Sequence, residues 1–353
     1  MRTKDELIKI ADSFFADEAD ILVSLFKTKL LQKNETQKII HRERNQLICP
    51  YCKSTNIYKN GKTKIGNQKY ICRTCNKSFS DSNDSIVFSS KKSYLQWIKF
   101  IHCEILGLTL KRTSLEVGIS QTTAFAWRHK LYFAIGKIKQ DIVLNGIIQI
   151  DGYFISINLK GTKKNNMPRY SKKRSSSAYR GVSHHKVCIM CGIDDNDNLF
   201  LEIVGLGGEA NNMMDSLSYK IKEGSKLVCD GKFAFLTFCK NHNCSIELVK
   251  SKTYKNENGY DMNSINGIHS ELRKYLAKRR GVSIRHLQEY LDMFLFLKLL
   301  EYSTEPNLQD VTTFNKAIPT RAKLLVKQIF ELAIPIDFKK AYGDYHYGIF
   351  SNR

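Results

Sequence analysis

The chain lacks a long apolar run and is poor in acids, and each lack removes a class of function. Its longest apolar stretch, residues 293–300, is interrupted by Lys298 and falls far short of the roughly 20 residues needed to cross a bilayer. No membrane span is expected. The segment Met1 to Asp12 mixes charges with isolated apolar residues and lacks the continuous apolar stretch and small-residue cleavage site of a secretory signal, so a cytoplasmic location is expected. Only 34 Asp and Glu stand against 56 Lys and Arg, a formal charge of +22 that exceeds what solubility requires and points to a polyanionic partner. A basic member of a large assembly has the same composition, so local motifs must decide. With 353 residues and 42% apolar content, about two or three domains with real cores are affordable.

A disulfide framework is also missing, because the ten cysteines include two close pairs whose spacing suits a metal. Cys49-Pro-Tyr-Cys52 and Cys72-Arg-Thr-Cys75 are separated by nineteen residues, and two such knuckles supply the closed four-thiolate shell that structural Zn²⁺ prefers. Between them, Tyr58 to Lys64 with Asn60-Gly61 as a turn, followed by Gln68 to Ile71, reads as a β-hairpin. Ser78-Phe79 follows as an apolar plug. A redox CxxC needs one motif at a helix start, not two flanking a hairpin. Cys188 and Cys191, three apart in a strand, face opposite sides, and Cys103, Cys229, Cys239 and Cys244 read as small core residues.

Upstream of the knuckles, residues 4–37 carry apolar positions at helical spacing, which gives two amphipathic helices whose first use is packing. Downstream, Ser93 to Gly107 reads as a helix capped by Ser93, with Trp97, Phe100, Ile101 and Ile105 inward. Thr109 to Val117 forms a second helix, Gly118 a turn, and Ser120 a cap for a third helix from Gln121 to Phe133. This is the order of a helix-turn-helix. Its last helix offers Gln121, Thr122 and Thr123 to base edges and Arg128, His129 and Lys130 to phosphates of double-stranded DNA. An ordinary three-helix bundle shows the same pattern, and the neighbouring ribbon and the charge favour the DNA reading.

From Gly146 the period changes. Ile147 to Ile157 is a β-rich run with Asp151 inside it, and residues 186–193 and 198–204 flank the turn Asp194-Asp-Asn-Asp197 as a hairpin. Asn211 to Lys222 reads as a helix, and Ser225 to Cys229 as a short strand ending in Asp230-Gly231. Acids at two strand positions suggest an α/β sheet with a metal site across neighbouring strands, since an unpartnered acid within Ile-Ile-Gln-Ile-Asp-Gly is costly.

Residues from about Cys49 to Phe296 now resemble insertion-sequence transposases with an N-terminal zinc ribbon and an RNase H-like core, the IS fifteen-ninety-five (ISXO-type) family. The motifs are CPYC with CRTC, TTAFAWRHK from Thr122, IIQIDGYF around Asp151, VCDG ending at Gly231, and INGIHSELRKYLAKRRGVSIRHLQEYLDMF from Ile265. The resemblance implies a multidomain α+β chain and a DDE-type polynucleotidyl transferase that binds transposon ends, cuts, and joins the 3′ hydroxyl to target DNA as a homo-oligomer. Two carboxylates, Asp151 and Asp230, would hold the divalent ions such chemistry uses, Mg²⁺ or Mn²⁺. The expected organisation is a helical segment at 1–44, a zinc ribbon at 45–82, a helix-turn-helix at 90–140, the RNase H-like core at 145–300, and a helical segment and tail at 301–353.

The third acid of the DDE pattern is missing. His269 aligns with it, and the family tolerates Asn or His in this segment, so Asn266 or His269 completes the shell, with Glu271 as a possible substitute. On a helix Asn266, His269 and Arg273 share a face that Glu271 leaves. An imidazole shifts preference toward Mn²⁺. Arg273, Lys274, Lys278, Arg279 and Arg280 read as a phosphate track. Residues 160–180, with eight Lys or Arg and no acid, read as a loop that orders on DNA through Lys172, Lys173 and Arg174. Residues 312–332 read as helical. The competing function is a DNA-binding regulator or an inactive transposase derivative, for which the two strand-borne acids have no use.

Overall fold

A computed structural model describes residues 48–63, 68–80, 86–87, 90–138, 142–158, 186–250 and 255–302. The expected N-terminal helices, the basic segment with Lys172, Lys173 and Arg174, and the helix at 312–332 lie outside the described residues. The chain divides into two compact units, whose described parts are residues 48–131 and 132–302.

The first unit begins with a three-stranded antiparallel sheet of β1 (Ile57–Lys62), β2 (Gln68–Cys72) and β3 (Ser78–Ser80), in that spatial order. Tyr70 stacks on Phe79 with ring centroids 5.5 Å apart; with Ile57 and the cysteines they make up this small core. Each knuckle ends in a left-handed residue, Lys53 (φ 60°) and Asn76 (φ 55°). The N–H of each bonds back to the carbonyl of Cys49 or Cys72 at 2.9 Å. Asn60-Gly61 is not the hairpin turn expected from the sequence. Gly61, at φ +68°, sits inside β1 where the register with β2 slips between Lys59 and Lys62; glycine's freedom at positive φ serves a bulge here.

Three helices follow: α1 (Tyr94–Ile105), α2 (Leu110–Val117) and α3 (Gln121–Ile138). Ser93 and Gln96 form a capping box at α1, Thr109 caps α2, and Gly118 ends it at φ +69°. Ser120 Oγ accepts the Thr123 N–H at 3.0 Å and starts α3. The interior is aromatic: Trp97 stacks on Trp127 at 3.7 Å and Phe100 meets Trp127 edge-on. Beside them Arg128, 4% exposed, donates two hydrogen bonds of 2.8 and 2.7 Å to the buried Glu104 carboxylate. α3 runs five residues beyond the Phe133 end read from the sequence.

The second unit is built on a five-stranded sheet of β4 (Ile147–Ser156), β5 (Lys186–Asp194), β6 (Leu199–Leu206), β7 (Lys226–Cys229) and β8 (Ser245–Leu248). The spatial order is β6-β5-β4-β7-β8, with β4, β5 and β6 antiparallel in turn and β7 and β8 parallel to β4. That is the strand order of an RNase H-like core, and it makes the Asp151 strand central. The β5–β6 turn is held by Asp194, whose Oδ1 accepts N–H bonds from Asn196 and Asn198. Period-2 alternation sorts the side chains onto two cores. Cys191, Ile189 and Tyr153 face α6 (Asn263–Lys278) and α7 (Leu287–Tyr302), whereas Cys188, Met190, Ile148 and Ile150 face α4 (Asn211–Asp215) and α5 (Phe233–Asn241). Cys188 and Cys191 thus lie on opposite faces. Cys103, Cys229 and Cys239 are buried, and Cys244 is half-buried. Gln149 Oε1 accepts the Ile265 N–H at 3.0 Å and pins the start of α6 over β4.

The helix expected over 211–222 is broken. α4 stops at Asp215, and after a 3-10 turn at Ser218–Lys220 the chain enters a bridge between Ile221 and Leu144. Leu217 and Ile221 both enter the α4/α5 core, and the break frees the Lys220 carbonyl and the Lys222 N–H to bond Leu144. Among the described residues no helix is long and apolar enough to cross a membrane.

Candidate active site

The parallel pairing of β4 and β7 sets Gln149 against Val228. Asp151 and Asp230 each follow two residues later, so Asp230 stands just past the end of β7 and Asp151 beside it on β4, where the parallel pairing of the two strands stops. Gly231, at φ +83°, turns the chain immediately after Asp230, and Lys232 folds back between the acids. Its Nζ lies 3.0 Å from Asp230 Oδ2, 3.4 Å from Asp151 Oδ1 and 2.5 Å from Glu209 Oε1. Neither Glu209 nor Lys232 was among the residues read as candidates from the sequence. Gly207-Gly208-Glu209, an acid at the end of a strand and behind two glycines, was the available signal for the first.

The electrostatics follow from burial and company. Burial raises the Asp151 carboxyl above its ordinary value, Lys232 opposes the rise, and Asp230 adds to it; the Gly152 N–H also bonds Oδ1 at 2.8 Å. Burial works against the Lys232 ammonium, but Glu209, Asp151 and Asp230 outweigh it and hold its pKa above the usual lysine value. Burial and the Glu209 carboxylate together push the Cys188 thiol up to about 12, leaving it an inert core residue.

α6 brings His269 to the Asp151 side. Its Nδ1 is 3.9 Å from Asp151 Oδ2, and its ring lies 5.2 Å from that of Tyr153. Burial, with Arg273 and Lys232 nearby, lowers its pKa to about 4, so the imidazole is neutral near pH 7 and the approach to Asp151 is not an ion pair. Nε2 is buried with no hydrogen-bond partner. Asn266 is exposed on the same helix, while Glu271 pairs with Lys298 away from this cluster. Arg273, Lys274, Lys278 and Arg280 are exposed, and Arg279 lies over Tyr275 at 4.8 Å.

The candidate residues of the first unit divide similarly. Gln121 and Thr122 are exposed and Thr123 half-exposed at the start of α3. Lys130 is half-buried, and burial lowers its pKa. Arg128 is not a phosphate contact: it is buried against Glu104, because α3 turns that position inward. His129, also buried, packs its ring 4.5 Å from Phe125. The sulfurs of Cys49, Cys52, Cys72 and Cys75 lie within 4.8 Å of one another, with Cys49 to Cys75 at 3.6 Å and Cys52 to Cys72 at 3.5 Å. A tetrahedral zinc with Zn–S of about 2.3 Å needs sulfurs roughly 3.8 Å apart, so the quartet fits.

The carboxylate cluster also suits a cation. Three acids converge on a single positive nitrogen, their donors are hard oxygens of the kind Mg²⁺ and Mn²⁺ take, and an orphaned imidazole nitrogen lies on the helix beside them.

Residues 143–297 match the model of the ISXO2-like transposase domain, and residues 46–76 that of the InsA N-terminal domain, a zinc ribbon. No curated protein matches the chain. Among solved structures, the Mos1 transposase paired-end complex with left transposon end is 13% identical over 65% of this chain and 78% of that one, with a TM-score of 0.28. The Mos1 strand transfer complex gives 14%, 65%, 77% and 0.28. The simian T-cell lymphotropic virus intasome gives 11%, 60%, 77% and 0.27.

Proposed function

We propose that this chain, a DDE-type transposase by its ISXO2-like domain and InsA-type ribbon, holds insertion-sequence ends with its N-terminal modules and cuts and joins them at Asp151 and Asp230. The observation that carries this reading is the placement of both acids side by side on adjacent parallel strands, where their pairing ends, around one cationic point. Divalent cations held there supply Lewis-acid stabilisation to the attacking and leaving oxygens of a phosphodiester.

The protein's own groups do the rest. Asp151 and Asp230 hold the cations, and the buried Gly152 N–H fixes the Asp151 carboxylate. Neutral His269 offers a lone pair rather than a charge, and Asn266 presents an amide from the exposed side of α6. Gln121, Thr122 and Thr123 read base edges from the start of α3. Lys130, Arg273, Lys274 and the segment with Lys172, Lys173 and Arg174 hold phosphates. The modules are read as a helix-turn-helix at 90–140 and a catalytic core at 145–300. Joining two ends to one target requires more than one catalytic centre, which favours a homo-oligomer on DNA.

Joining of a pre-cut, labelled transposon end to plasmid DNA, with Mg²⁺ or Mn²⁺, tests the assignment. Asp151→Asn and Asp230→Asn abolish joining and leave end binding in a gel-shift assay near wild type. If Asp151→Asn joins ends as well as wild type does, the protein is a DNA-binding regulator instead.

A further inference from the structure

The DDE pattern calls for three acids, and α6 supplies none to this cluster: His269 approaches Asp151, Asn266 is exposed on the same helix, and Glu271 is turned away to Lys298. We propose that Glu209, between β6 and α4, is the missing carboxylate ligand of the cation site. The inference rests on the reading of Asp151 and Asp230 as cation ligands.

Burial sets the first constraint. The Glu209 side chain is 3% exposed, and a buried carboxylate demands a positive partner. Its ion-pair partner is Lys232, the same ammonium that touches Asp151 and Asp230. Three carboxylates around one ammonium leave the cluster two negative charges in excess, so a divalent cation is held there more strongly than the single ammonium it replaces. The Lys232 side chain is 37% exposed and can swing toward solvent when a cation enters. Glu209 has no such exit, so it stays facing the point that Lys232 vacates.

Gly152 provides an independent observation. On β4 the even-numbered residues face α4 and α5 while Asp151 faces α6, so Glu209 and His269 approach from opposite sides of the sheet. A Cβ placed on Gly152 would collide with Glu209 Oε1 and with the Phe154 ring. The glycine after Asp151 is the notch through which Glu209 reaches the edge. On the other side, His269 Nδ1 lies 3.9 Å from Asp151 Oδ2.

The competing account makes Glu209 only a counter-charge that positions Lys232. Mn²⁺ titration of the full-length protein, followed by electron paramagnetic resonance and calorimetry, separates the two. If Glu209 is a ligand, Glu209→Gln weakens Mn²⁺ binding by about tenfold or more, Glu209→Asp retains part of it, and Glu271→Gln changes nothing. Lys232→Met tightens binding, and adding Glu209→Gln in that background weakens it again. If Glu209→Gln has no effect once Lys232 is methionine, while Asp151→Asn still loses Mn²⁺, the inference is overturned and the reading of the aspartates stands. If Asp151→Asn also binds Mn²⁺ like wild type, the underlying reading fails with it.

Discussion

Arg128 and Gly152 show what single side chains decide in this chain. The guanidinium of Arg128 is locked bidentately onto a carboxylate that has no access to water. Arg128→Ala therefore takes the guanidinium away from the buried Glu104 carboxylate, and is expected to cost about 3–5 kcal/mol, read as a lowered unfolding midpoint in urea. Glu104→Leu combined with Arg128→Met should recover most of it. Gly152→Ala is expected to act differently: its Cβ forces the buried Glu209 carboxylate out of place, at a cost of about 1–3 kcal/mol. End joining should fall sharply, with DNA binding retained. A gel shift and a joining assay on one preparation check both halves. Asp151 and Asp230 were legible because each interrupts a β-rich run, and the four cysteines because of their spacing. Glu209 and Lys232 were not, since their role comes from strands that meet only in the folded sheet. Arg128 misled because a basic residue in a DNA-reading helix looks the same in sequence whether its turn of helix faces in or out.

Elements repeat the lesson with turns and caps. The knuckle spacing, the Ser93 and Ser120 caps and the Asp194 turn could be read directly, because each depends on residues within a few positions of one another. α5 and β8 left too little local periodicity to be read. Bulge and turn compete for the same Asn-Gly pair, and only the pairing of β1 with β2 reveals that Gly61 makes the bulge. Two outcomes follow at this scale. Removing zinc with a chelator, or Cys72→Ser, should unfold the ribbon around the stacked Tyr70 and Phe79 while the five-stranded sheet persists, because so small a core cannot hold itself without the metal. Near-ultraviolet circular dichroism and zinc analysis report it. Ser120→Ala should destabilise α3 by about 1 kcal/mol and weaken end binding, since the cap sets the first turn that presents Gln121 and Thr122.

For the whole molecule, a surplus of 22 positive charges makes association with DNA strongly dependent on salt. The logarithm of the binding constant should fall linearly with that of salt concentration, and Lys274→Gln should reduce the slope by about one unit for every sequence tested. Thr122→Val should leave the slope alone and change which end sequence is preferred. Fluorescence anisotropy over a salt series checks both.

Lys232 also bears on when the enzyme can act. With an ammonium already seated among three acids, loading a divalent ion is an exchange, and the departing charge needs somewhere favourable to go. A phosphate of bound DNA is such a place. Free protein should then take up Mn²⁺ reluctantly, and protein bound to a transposon end more readily, which calorimetric titration with and without the end would measure. The lysine would work as a safety catch, keeping the nuclease unarmed until its substrate is in hand.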